Sequence, residues 1–317
     1  MNSPTVVQIP IPILAGPTAS GKTALSLELG AQFPLEVVSS DAMMVYKRMD
    51  IGTAKPSLEE RARVPHHLID VLEPGSDFSV AQWVHLAEAA ITDILARGSI
   101  PFVVGGTGFY IRALSQGLPS TPPSQPELMA GLEHELSTRG LDDLIAEVAA
   151  VSQYDADRAE RNPRRVLRAL EIIRVTGKAA SAFEPRAPKF KFAKIALIPP
   201  REELLARIEV RSKQMLSAGL IEEARGLMPV FLRDGRRVTS FQAIGYKQAL
   251  DHLTGVFMDD GTHRDLPLEE VENRINLATR QYAKRQETWF KAEPNTKIVS
   301  SLEDARSELE QLLRIWS

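Results

Sequence analysis

The chain has 317 residues, 44% of them apolar and 25% charged, with a formal net charge of −3. That is ordinary folded, soluble composition for one large domain or a core with an added subdomain, and it excludes a globally basic nucleic-acid binder, so such a partner would need a local patch. The absence of cysteine excludes disulfides, thiolate metal sites and a thiol nucleophile, and no apolar run approaches the ~18 residues of a membrane span. In chain order, Met1-Asn2-Ser3-Pro4 lacks the charged start and apolar core of a signal peptide, so a cytosolic protein is expected, with residues 1–10 as a loose tail. The apolar run Ile11 to Ala15 predicts a first strand. It leads into Gly16-Pro17-Thr18-Ala19-Ser20-Gly21-Lys22-Thr23, which fits G-x-x-x-x-G-K-[ST], and a helix-forming run follows. Gly16 and Gly21 allow backbone N–H groups to converge on one anion, the new helix adds its positive end, Lys22 reaches outer phosphate oxygens, and the Thr23 hydroxyl is placed for Mg²⁺. The ligand carries at least a diphosphate. The motif alone does not make it ATP.

Leu35 to Ser39 predicts a second buried strand, which puts Ser40 and Asp41 at its carboxyl end, where open α/β sheets hold their chemistry. Asp41 has two readings, a metal-holding acid or a general base acting beside the cradle. Residues 42–80 read as irregular, Ser79 to Ala96 as a helix, and Ile100 to Val104 as a strand ending in Gly105-Gly106-Thr107-Gly108. An acid is missing there, and an NTPase needs one to hold its metal. Four prolines within 118–126 mark a stiff linker, charge-rich helical sequence follows, and a second proline-marked join lies at 184–188. The reading is an α/β fold with a P-loop NTPase-like core, its mostly parallel sheet flanked by helices. Residues 1–117 and 193–317 form that core, and 118–192 a helical insertion. Strands are expected at Lys194 to Ile198 and Lys297 to Val299, and helices at 201–217, 220–233, 268–292 and 302–315.

Asn162 and Pro163 open a helix well, with Val166 on its apolar stripe and Arg161, Arg164, Arg165 and Arg168 on another face. That face reads either as a solvated surface or as a phosphate-backbone surface. Arg207 and Arg211, four residues apart, share a face from which an arginine could reach a bound diphosphate; a plain surface arginine is the other reading. The adjacent His66 and His67 lack metal spacing and are expected to pack or hydrogen-bond. Ser20 has no His–Asp partners for hydrolysis.

Together, Gly16 to Thr23, Asp41 to Pro56, Gly105 to Leu114, Asn162 to Glu171, Gln214 to Glu223, Gln242 to Lys247 and Thr279 to Gln286 resemble the bacterial tRNA dimethylallyltransferases, in the family's order over about 16–290. The resemblance implies transfer of a dimethylallyl group from its diphosphate to N6 of adenosine 37, 3′ of the anticodon, in tRNAs reading codons that start with U, with Mg²⁺ as cofactor. By matching position, Asp41 is the general base, Lys22 and Thr23 hold the diphosphate with the loop amides, and Arg211 adds positive charge. Thr107 contacts the target nucleotide region. Asp41, Ala42, Met43, Met44, Asn162, Pro163, Arg164, Arg165, Val166, Arg168, Gln242, Gly245, Tyr246 and Lys247 lie in stretches that touch the tRNA anticodon stem-loop. Met129 stands where the family usually has arginine, which leaves that contact open. A monomer is expected, with no membrane partner, and the chain ends without the zinc-finger extension of eukaryotic relatives. Alternatives are an adenylate dimethylallyltransferase, for which the arginine-faced insertion has no use, a P-loop small-molecule kinase with 118–192 as its lid, and a non-catalytic RNA-binding module.

Overall fold

The computed structural model describes residues 9–235, 238–257 and 263–316. Most of the tail read at 1–10 therefore lies outside the described residues. The chain divides into two compact units, Gln116–Pro188 and the remainder on either side of it.

The larger unit starts with β1 (Ile11–Ala15), α1 (Lys22–Gly30), β2 (Leu35–Ser39), α2 (Leu58–Arg63), β3 (His66–His67), α3 (Val80–Ala96), β4 (Ile100–Gly105) and α4 (Gly108–Gln116). The smaller unit holds α5 (Pro126–Arg139), α6 (Leu141–Val151), α7 (Gln153–Arg158) and α8 (Pro163–Thr176). The larger unit resumes with β5 (Phe192–Leu197), α9 (Arg201–Ser217), α10 (Leu220–Gly226), α11 (Met228–Asp234) and α12 (Tyr246–Thr254). It ends with the short pair β6 (Val256–Phe257) and β7 (His263–Arg264), then α13 (Leu268–Ala292), β8 (Thr296–Val299) and α14 (Leu302–Arg314).

Six strands form one sheet in the order β3-β2-β4-β1-β5-β8, every neighbouring pair parallel. β1, β2 and β4 are buried at every position, which is why they read as largely apolar runs rather than alternating ones, Glu36 of β2 being the charged exception: helices cover both faces. One face packs Ile11, Ile13, Val103 and Ala196 against Trp83 and Ile91 of α3. The other packs Leu14, Val37 and Phe102 against Leu25 of α1 and Leu309 of α14.

The stretch 42–80 is more ordered than its sequence suggests. Ser57 and Glu60 form a reciprocal capping box that starts α2, and β3 pairs with β2 through two residues only, too few to carry a periodicity. The helix expected over 220–233 is two, α10 and α11, because Pro229 sits at the start of a new helix. In the smaller unit, Asn162 caps α8 through Arg165 N–H, Gly177 ends it, and Leu132, Leu144, Val148, Val166 and Leu170 make the core.

Candidate active site

The strand order sets the site. β2, β4, β1 and β5 are neighbours, so the loops at their carboxyl ends lie side by side: Asp41, then Gly105 to Thr107, then Gly16 to Thr23, then the approach to α9. Gly16 has φ 148°, and a side chain there would strike the Leu197 carbonyl; Gly21 has φ 100° as α1 begins. Ala19 between them is also left-handed, at φ 63°.

These loops enclose a cavity of about 630 Å³. Its polar end is cationic. Lys22 Nζ donates to the Gly16 and Pro17 carbonyls (3.0 and 2.6 Å) and to Ser20 Oγ (3.2 Å). Burial, and next the Arg211 guanidinium, push its ammonium down to about 7, with Asp41 opposing both. Arg211 is likewise lowered by burial, with Asp41 opposing. Arg207 Nη1 donates to Ser20 O at 3.2 Å, so the first arginine of the pair grips the loop itself and the second faces the cavity. The cavity also has an apolar lining, supplied by Val37, Met44, Ala54, Pro56, Ile69 and Val104.

Asp41 faces this cavity from the end of β2. Its Oδ1 accepts the Met43 and Met44 N–H groups at 2.8 and 3.4 Å, and among the described residues no donor reaches Oδ2. One oxygen is thus spent on orientation and the other is open to a proton. Thr107 Oγ1 accepts Ala42 N–H (3.1 Å), and Thr107 N–H donates to Ser40 O (3.1 Å), which ties the Asp41 turn to the turn after β4. The sequence reading singles out neither Tyr282 nor Gln286, although both line the cavity from α13 and fall within the stretch Thr279 to Gln286 that carries the resemblance. Burial, and next the Asp41 carboxylate, push the Tyr282 phenol up, so it stays protonated.

A hard divalent ion fits beside the cradle: Thr23 offers an exposed hydroxyl on the first turn of α1, in a cavity roomy enough for phosphate and water ligands. Among the described residues no group of three or more His, Asp or Glu side chains could hold a metal alone. His66 Nδ1 bonds Val64 O, and His67 Nε2 bonds Glu36 at 2.7 Å. No helix among the described residues is long and apolar enough to cross a membrane.

The residues expected at RNA divide by exposure. Asn162, Pro163, Arg164 and Arg165 are exposed, and Arg165 pairs with Glu160 at 2.5 Å. Val166 is fully buried and serves the core. Arg168 is turned to Glu171 and the Pro122 carbonyl, which leaves little of it for phosphate. Met129 packs against the same helical core. Gln242 and Lys247 are exposed, and Lys247 pairs with Asp251 at 2.9 Å. Tyr246 corrects the reading as an RNA contact: it is 0% exposed, its hydroxyl donates to Glu223 and accepts Gly52 N–H, and Gly245 beside it is buried. With Glu223, which also accepts Asp50 and Ile51 N–H, it pins the turn leading to Ala54 and Pro56 of the apolar lining.

Similarity to known proteins agrees with this geometry. The chain is 52% identical to a tRNA dimethylallyltransferase of Thermus thermophilus over 284 residues, covering 90% of each chain. It is 48% identical to that of Deinococcus radiodurans over 291 residues, covering 92% of each. Among solved structures, the full-length tRNA isopentenylpyrophosphate transferase of Bacillus halodurans matches with a TM-score of 0.68 at 35% identity, covering 98% of both chains. A eukaryotic dimethylallyltransferase acting on tRNA matches at 0.72 and 28% identity, covering 95% of this chain and 77% of that one. The profile of the IPP transferase family spans residues 44–293, and the chain belongs to that family.

Proposed function

We propose that the protein transfers a dimethylallyl group from dimethylallyl diphosphate to N6 of adenosine 37 in tRNAs that read codons starting with U, releasing diphosphate. One observation carries the reading: a carboxylate with an open oxygen, Asp41, shares an apolar-lined cavity with two desolvated cations, Lys22 of the phosphate loop and Arg211 of α9. A phosphate cradle alone serves many reactions. A cradle that shares an apolar-lined cavity with a base suits an allylic diphosphate. The names carried by the relatives, tRNA dimethylallyltransferase among them, support the same substrates.

In this reaction the allylic C–O bond breaks as the N6–C bond forms, and the N6 proton passes to Asp41 Oδ2. Charge grows on the leaving diphosphate, where the loop amides, Lys22 and Arg211 stabilise it more in the transition state than in the ground state. The aromatic amine is a weak nucleophile, so a carboxylate within hydrogen-bond reach helps. Mg²⁺, held by Thr23 and the diphosphate itself, would supply further neutralisation of the leaving group. The apolar lining takes the five-carbon chain and keeps water from the reacting carbon. Adenosine 37 must leave its stack to enter, at a cost of a few kcal/mol. The exposed Asn162 to Arg165 turn of the Gln116–Pro188 unit offers phosphate contacts that offset part of it. A monomer working in the cytoplasm is part of this proposal.

The test is mass analysis of nucleosides after incubation with dimethylallyl diphosphate, Mg²⁺ and an unmodified tRNA transcript. An adenosine heavier by one five-carbon unit at position 37 is expected. Modification of free AMP in preference to the transcript contradicts the assignment of the acceptor.

A further inference from the structure

We propose that Gln286 is a positioning residue: by bridging the phosphate cradle and the turn after β4, it sets the reacting carbon of the donor against the acceptor nitrogen, with Tyr282 as its companion one helical turn away. The inference rests on the reaction proposed above and concerns residues to which that reading gives no role.

The sheet stops short of the chemistry. The last paired residues are Ala15 with Gly105 and Ser39 with Val104. Thr18, Gly106 and Asp41 all lie beyond them, where no ladder fixes one loop against the next. α13 supplies the missing links. Gln286 is 6% exposed; its Oε1 accepts Thr18 N–H at 2.9 Å, and its Nε2 donates to Gly106 O at 2.8 Å. A primary amide is the side chain with a donor and an acceptor fixed on one carbon, and here each is used once on a different loop. Gly106 is shaped to it, since a Cβ there would collide with Gln286 Nε2. Tyr282 lies four residues earlier on the same face and lines the same cavity, and the Thr107 side chain opposes the upward shift of its phenol. Thr107 in turn holds Ala42 N–H and Ser40 O on either side of Asp41. A path of hydrogen bonds, joined by the Gly106–Thr107 peptide bond, therefore runs from the donor's cradle through Gln286, Gly106 and Thr107 to the turn that aims the base.

Such a path matters for rate more than for affinity. The cradle can close on a diphosphate wherever Asp41 lies, but transfer needs donor carbon, amine and carboxylate aligned together, and a misplacement of ~1 Å costs on the order of 10²-fold. Poor alignment also has a chemical signature. Water then competes with the amine: its oxygen bonds the allylic carbon as the C–O bond to diphosphate breaks, its proton goes to solvent, and dimethylallyl alcohol forms in place of modified tRNA.

The experiment uses the full chain with dimethylallyl diphosphate, Mg²⁺ and tRNA transcript. Gln286→Met keeps length and apolar bulk while removing both hydrogen bonds. Single-turnover transfer at saturating donor and tRNA should fall about 10²-fold, and the ratio of alcohol to modified adenosine should rise. Donor Kd should stay within about threefold of wild type. Tyr282→Phe, which removes one hydroxyl, should lower transfer about tenfold. The double variant should be no slower than Gln286→Met, because both act on one turn. A rate loss matched by donor Kd, with unchanged partitioning, overturns the proposal in favour of simple donor binding. So does unchanged transfer in either variant. Should Gln286→Met fail to fold, Tyr282→Phe decides by the same two readouts. Wild-type protein that modifies no tRNA in this assay sinks the underlying function instead.

Discussion

The two compact units use arginine and lysine in opposite ways. In the larger unit, Lys22 and Arg211 face one cavity, burial lowers both, and their anionic neighbour is Asp41. In the Gln116–Pro188 unit the cations are paired at the surface. Arg174 and Arg139 share Glu135 and Glu147, Arg161 meets Asp142, and Arg165 meets Glu160, while Arg164 is exposed without a side-chain partner among the described residues. The first arrangement is costly without an anion, because desolvated cations gain most when a ligand's charge arrives. The second costs little and yields little per pair, and it suits reversible contact with a solvated phosphate backbone.

Removing charge from the buried cluster should therefore have the largest effect. Arg211→Met is expected to lower kcat about 10²- to 10³-fold in single-turnover transfer, the scale of one lost leaving-group contact. An effect confined to KM would mean that Arg211 holds ground state and transition state equally. Asp41→Ala should slow transfer about 10²-fold with donor and tRNA binding retained, the share of a general base; unchanged turnover removes it from that role.

A pH experiment sharpens the same contrast. Lys22 is near 7 in the free protein, and an anionic donor favours its charged form, so the value rises on binding. Between those two values, binding takes up a proton, and donor affinity falls as pH rises above about 7. Titration calorimetry at pH 8 in buffers of different ionisation enthalpy should register this uptake. Heats independent of buffer contradict it.

Much of this site is legible in the residues themselves, and the misses have two causes. A P-loop is a local object, so Gly16 to Thr23 announces itself, and buried parallel strands leave largely apolar runs. The i, i+4 spacing of Arg207 and Arg211 was enough to bring both forward, but not to tell which grips the loop. Gln286 meets Thr18 from 268 positions away, and Tyr282 and Gln286 look like any polar pair on a long helix. Tyr246 failed differently. Membership in a matched stretch suggests contact with RNA, whereas burial and the Glu223 carboxylate make it an internal anchor.

On the surface of the smaller unit, effects should be smaller and sensitive to salt. Reversing Arg164 and Arg165 to Glu should weaken tRNA binding and lower the slope of log K against log salt by about two, while AMP-sized acceptors are unaffected. An unchanged slope would remove this face from RNA contact. The smallest effect expected is on stability. Hydrogen bonds from Arg174, and then Arg139, hold the Glu135 carboxyl down at about 2. A depressed carboxylate stabilises the fold above its ordinary value of 4.5, and this contribution is lost as pH falls toward about 2. The difference in thermal midpoint between wild type and Glu135→Gln should thus be slight near neutrality and close on acidification. A difference that persists at low pH would point to packing instead.

The most direct test of the central claim is the stoichiometry of the leaving group. In one reaction with dimethylallyl diphosphate and tRNA transcript, the account predicts one inorganic diphosphate released per prenylated adenosine, with Asp41→Ala suppressing both together. Orthophosphate as the product, or diphosphate release without a modified adenosine in the wild type, would contradict it.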